Sequence, residues 1–176
     1  MITTNGWAAS EGLVLTPIIG VERVQKFDPS PYMKSRMIFG ILAVYNLPVI
    51  SMESEYSHAQ DTSADLTATT PTTYKDVEDK IKLGVRGNAK WDQYLTTYLR
   101  GGAQLRQNTH TKTISNVSSV STNQTKVQPY IGTGVAIHLM QYFSLNADIT
   151  AVYAPSSNAA LNDFEISPSI GFTLGL

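Results

Sequence analysis

The last ten residues, "SPSIGFTLGL", alternate without a break. Pro168, Ile170, Phe172, Leu174 and Leu176 are apolar, and the residues between them are small or polar. Successive side chains on a β-strand point to opposite faces, so this pattern makes one bulky apolar face and one thin face. Helical periodicity would instead bring residues three and four apart onto one side.

The same period governs most of the chain. Eight runs read as strands: 12–27, 32–46, 49–58, 76–91, 95–108, 126–140, 142–154 and 163–176. No run has convincing helical amphipathicity. In 76–91, Ile81, Leu83, Val85 and Trp91 oppose Lys80, Lys82, Arg86 and Lys90. In 126–140, Ile131, Val135 and Ile137 oppose Tyr130, Gly132, Gly134 and His138.

The connections alternate too. "NLP" (46–48) and "MQY" (140–142) are tight, whereas the stretches from Ala59 to Lys75 and from Asn108 to Thr125 are long and rich in Thr, Ser and Asn. Long loops therefore gather at one end and tight turns at the other, the pattern of outer-membrane barrels. Composition agrees. Charged residues make up 15% of the 176 residues, against about 25% in soluble domains. No stretch of apolar residues is long enough for a transmembrane helix. A net charge of −1 gives no basic field for nucleic acid. The absence of cysteine removes disulfides, thiolate catalysis and cysteine metal sites.

Two stretches, "PYIGTGVAIHLMQYFSLNADITAVY" (129–153) and "ISPSIGFTLGL" (166–176), resemble the small eight-stranded outer-membrane barrels of the OmpA, OmpX and opacity-protein type. The resemblance implies an all-β, eight-stranded antiparallel up-and-down transmembrane barrel with a plugged interior. The chain departs from the family at Leu176, where the family's terminal strand usually ends in an aromatic residue. The expected location is the bacterial outer membrane, with residues 1–176 forming one barrel domain. The opening "MITTNGWAAS" lacks the basic and apolar regions of a signal peptide, so an export signal is expected to have been removed.

Strand parity assigns the side chains. Glu22, Glu53, Glu55, Lys82 and Arg86 fall on inward faces, as do Arg100, Arg106, Tyr130, Asp148 and Glu165. Unpaired buried charges are costly, so these are expected to form a paired network, with Glu53 and Glu55 facing Lys82 and Arg86. Phe39, Ile41, Leu83 and Val85 are expected to face lipid, together with Ile137, Ile149, Phe172 and Leu174. Tyr45, Trp91 and Phe143 would form an aromatic girdle at the tight-turn end, and Tyr56, Tyr153 and Phe164 another at the long-loop end. Val14, Ile18, Leu42 and Val44 are apolar yet share the inward parity. A bulge at Pro17, plain packing or a small apolar pocket would each account for them.

No catalytic or metal-binding motif is present, and no cofactor is expected. His58, with Ser57 and Glu55, is the one local group resembling catalytic chemistry, but the adjacent Ser57 and His58 of a regular strand point to opposite faces and cannot share a substrate. The sequence thus points to a non-enzymatic barrel whose partners are the lipid bilayer and, through the two long loops, a surface partner. The other readings are a narrow pore or small-solute channel, and a soluble eight-stranded carrier of an apolar ligand. The "NGW" at 5–7 is faintly similar to the lipocalin Gly-x-Trp.

Overall fold

The computed structural model describes residues 12–26, 32–47, 49–65, 72–114, 117–122, 125–140, 143–155 and 164–174. The strands are β1 (Gly12–Lys26), β2 (Tyr32–Asn46), β3 (Ser51–Asp65), β4 (Thr72–Lys90), β5 (Leu95–Ile114), β6 (Val117–Thr122), β7 (Lys126–Met140), β8 (Phe143–Tyr153) and β9 (Phe164–Leu174). Eight of them close a barrel in the order β1, β2, β3, β4, β5, β7, β8, β9, with β9 returning to β1. Every neighbouring pair is antiparallel, as up-and-down connectivity requires. Closure pairs both edges of the sheet, the condition for strands to cross a bilayer.

Alternation sorts the side chains as in an inside-out protein. Met37, Phe39 and Ile41 on β2, Ile81, Leu83 and Val85 on β4, and Ile166, Ile170 and Phe172 on β9 all stand exposed on the outer wall. Glu53, Glu55, Lys82, Arg100 and Glu165 are buried inside. Charged residues are normally the surface of a soluble fold, so this inversion is the informative feature.

The strands at the long-loop end reach further than the alternation of the sequence indicates. β3 continues past His58 to Asp65, β4 begins at Thr72 rather than Asp76, and β5 continues past Asn108 to Ile114. Much of the stretch read as a loop from Asn108 to Thr125 is a hairpin, in which β6 pairs with the end of β5. The pairs Arg106↔Lys126 and Thr109↔Thr122 are offset by one residue, so β6 continues β7 upward after a register slip. These extensions are rich in Ser and Thr, which fall on both faces. Backbone pairing holds them without an apolar face to announce them. Phe27, Tyr142, Asp163, Gly175 and Leu176, expected in strands from the alternation, lie outside the described residues, as do 66–71, 115–116 and 123–124.

Pro17 produces no bulge against β2. The β1–β2 register is unbroken from Gly12↔Asn46 to Lys26↔Tyr32, with Pro17 opposite Ile41. Ile18, Leu42 and Val44 instead pack together as a small buried cluster. These residues are thus packed against one another, and Ile38 and Val152 add further buried apolar side chains to a lumen that is mostly polar.

Candidate functional site in the barrel lumen

Inward side chains meet in two layers. The layer nearer the long loops contains Glu22, Arg36, Glu78, Lys80, Arg106 and Glu165. Arg36 reaches Glu22 at 2.6 Å and Glu78 at 2.8 Å. Lys80 contacts Glu22 and, at 3.0 Å, Glu78. Arg106 lies 2.8 Å from Glu78 and 2.7 Å from Glu165. These contacts tie β1, β2, β4, β5 and β9 together across the lumen.

The second layer lies nearer the tight turns. Lys82 meets Glu55 at 2.6 Å, and Arg86 meets Glu53 at 3.1 Å. Arg100 reaches from β5 to Glu55 at 2.8 Å and to Asp148 at 3.1 Å, and it donates to the Thr150 hydroxyl. The Tyr130 hydroxyl donates to Glu53 at 2.7 Å. The Arg86 guanidinium sits 3.9 Å from the centre of the Tyr98 ring, a cation–π contact. Each layer sets three carboxylates against three cations. That balance is what a water-poor interior demands of its charges.

Inward glycines make room for the second layer. A Cβ on Gly84 would collide with the Tyr130 hydroxyl, and one on Gly134 would stand 2.5 Å from the Tyr98 ring. Tyr98 of β5 therefore lies across the neighbouring β7, and Tyr130 of β7 reaches past β5 to β4, where any other residue would exclude them.

The expected network omitted Arg36, Glu78, Lys80 and Tyr98, although strand parity turns all four inward. The signal for them was present: Arg36 alternates with Met37 and Phe39, and Lys80 shares the parity of Lys82 and Arg86. Gln104, fully buried, donates to Gln128 at 3.2 Å between β5 and β7.

On the outer wall, Phe39, Ile41, Leu83, Val85, Ile137, Ile149 and Phe172 are exposed, whereas the side chain of Leu174 lies outside the described set. Tyr45 and Trp91 stand exposed at the tight-turn end, with Phe143 partly covered. Tyr94, exposed in the 90–95 turn, adds an aromatic there that the alternation did not single out. Tyr56, Tyr153 and Phe164 stand exposed at the other end, where the rings of Tyr153 and Phe164 meet at 5.5 Å.

His58 turns outward, away from Ser57 and Glu55, which are buried. Its Nδ1 lies 2.9 Å from the Asp79 carboxylate, which also accepts from the Tyr56 hydroxyl at 2.7 Å. This pair sits just beyond the apolar wall that ends at Ile81. Among the described residues, no group of three His, Cys, Asp or Glu side chains is placed to hold a metal ion.

The closed antiparallel barrel with an apolar wall and a charged lumen defines a fold class, the small outer-membrane β-barrels. Solved structures agree with it. The Neisserial surface protein A superposes with a TM-score of 0.59 at 15% identity, over 93% of this chain and 96% of that one. Ail, the attachment invasion locus protein of Yersinia pestis, gives 0.59 at 14% identity, over 93% and 98%. CarO of Acinetobacter baumannii gives 0.52 at 12% identity, over 90% and 97%. No family model matches the chain, and a search of curated proteins returned no match.

Proposed function

We propose that the chain is an integral outer-membrane barrel whose lumen is closed by its two charged layers and whose role is structural or one of surface contact. The observation that carries this reading is the inversion of polarity, with exposed Phe39, Val85 and Ile149 outside and buried Glu53, Lys82 and Arg100 inside. A wall of that kind gains by facing hydrocarbon, and an apolar band about 25 Å tall is what the bilayer requires. The barrel strands, of 11 to 20 residues, meet or exceed the roughly 9–11 needed to cross. The surplus on β3, β4, β5 and β6 would stand outside the cell as a two-sided polar ribbon.

That ribbon, formed by the described parts of the stretches Ala59 to Lys75 and Asn108 to Thr125, would be the surface-contact element. Similarity to Ail, named for attachment and invasion, supports the same reading for this chain. Two features support a closed lumen: eight strands leave an interior just wide enough for side chains to fill, and the two charged layers lie across it.

Single-channel recording in planar bilayers tests closure. The expected record is a flat baseline after insertion. Steady conductance steps that disappear when the protein is omitted would favour the narrow-pore reading instead.

A further inference from the structure

The tight-turn mouth of the lumen carries chemistry that neither charged layer uses. His138, near the end of β7, lies directly opposite Ser144 of β8. Its Nδ1 is 2.7 Å from the Ser144 hydroxyl, and its Nε2 is 2.9 Å from the Thr96 hydroxyl of β5. The His138 backbone N–H donates to the Tyr94 carbonyl at 2.7 Å. The imidazole is thus fixed across β5, β7 and β8, with both ring nitrogens engaged.

A neutral imidazole carries one N–H and one lone pair. With Nε2–H given to Thr96, the Nδ1 lone pair accepts the Ser144 hydroxyl. A hydroxyl held against an imidazole whose other nitrogen is anchored is the arrangement of a nucleophile and its base. Ser144 is the less hindered of the two hydroxyls, being primary and the second residue of β8, beside the turn.

Three further features distinguish the pair from a hydrogen bond that merely fills the mouth. The β7–β8 register slips between His138 and Met140, so Leu139 has no partner on β8. Such bulges are over-represented next to active sites, where they re-aim a side chain. Thr96, His138 and Ser144 are each only partly buried, unlike the charges above them, so the pair opens on the tight-turn side. Lys90, the partner of Thr96 on β4, brings a cation to the same rim, suited to the negative charge that gathers on a carbonyl oxygen under attack. Behind the pair the lumen is occupied by buried Tyr98, the next inward residue after Thr96, with Arg86 stacked on its ring.

We propose that Ser144 and His138 are the nucleophile and general base of a site that hydrolyses short-chain esters at the tight-turn mouth of the barrel. Ser144 Oγ attacks the ester carbonyl carbon while its proton passes to His138 Nδ1. The bond from that carbon to the alcohol oxygen breaks, and His138 returns the proton to the departing oxygen. Water then attacks the acylated Ser144, and its proton returns through His138 to Oγ as the acid leaves. The acyl group is short because Tyr98 and Arg86 fill the lumen behind the pair.

The test treats the folded barrel in detergent with a fluorophosphonate and maps the adduct by mass spectrometry. The phosphorus should be found on Ser144, with fluoride lost. The same barrel should turn over p-nitrophenyl acetate but not p-nitrophenyl palmitate. Ser144→Ala should abolish labelling and turnover. His138→Gln, which keeps a hydrogen-bonding side chain without the base, should slow turnover by about 100-fold or more. Mobility of unboiled samples shows that each variant is folded, and the adduct on the parent decides independently of them. A parent barrel that stays unlabelled, an adduct at any other residue, or turnover that survives either substitution overturns the site. Turnover of the palmitate ester overturns the limit on chain length.

Discussion

Arg86 and Arg100 are direct partners across β4 and β5, and both are buried. Two like charges in that position repel each other. They are held by the one carboxylate between them: Glu53 lies 3.1 Å from Arg86 and 3.7 Å from Arg100, and it is fixed in turn by the Tyr130 hydroxyl. Glu53 is thus the carboxylate that the two facing arginines of the second layer share.

Replacing Glu53 with Ala should therefore destabilise the barrel by about 3–5 kcal/mol, the cost of stranding a buried charge. Urea unfolding in lipid vesicles, followed by tryptophan fluorescence, measures this. A variant as stable as the parent contradicts the paired layer.

The outer wall makes the opposite demand. Val85, five residues from the tight-turn end of β4, and Ile149, near the middle of β8, are both exposed on the outer wall. Arg at either should cost about 2–4 kcal/mol if it sits at the bilayer midplane. Arg at Ser119, on β6 above the wall, should leave stability within about 0.5 kcal/mol of the parent. Equal tolerance at Val85 and Ser119 in vesicle unfolding contradicts the lipid-facing assignment.

Glycines separate by face in the same way. Gly134→Ala forces a methyl against the Tyr98 ring and the Ala147 carbonyl, and overpacking of this kind costs about 1–3 kcal/mol. At Gly87, on the outer face, an added methyl would meet nothing within 4 Å, so Gly87→Ala should be neutral to about 0.5 kcal/mol. Reversal of that order in the same unfolding assay would falsify the seating of Tyr98 on β7.

Much of this architecture was legible because a strand in a barrel wall writes itself with period two. Phe172 and Gly171, or Val85 and Arg86, declare inside and outside residue by residue. Legibility failed where both faces share one environment. Residues such as Ser63, Thr73, Thr111 and Ser119 are polar on either parity, so the ribbon of β3 to β6 looked like loop. The lumen was legible as a set of charges but not as two layers. Glu78 and Glu165 are joined through Arg106 by strand tilt and closure, and neither is visible in spacing along the chain.

The most direct measurement compares gel mobility of the protein refolded in detergent, unboiled and boiled, with circular dichroism of the same sample. The account predicts a β-rich spectrum and a mobility shift on boiling, both dependent on detergent or lipid. A β-rich, monodisperse protein in plain buffer would contradict it and point to the soluble carrier.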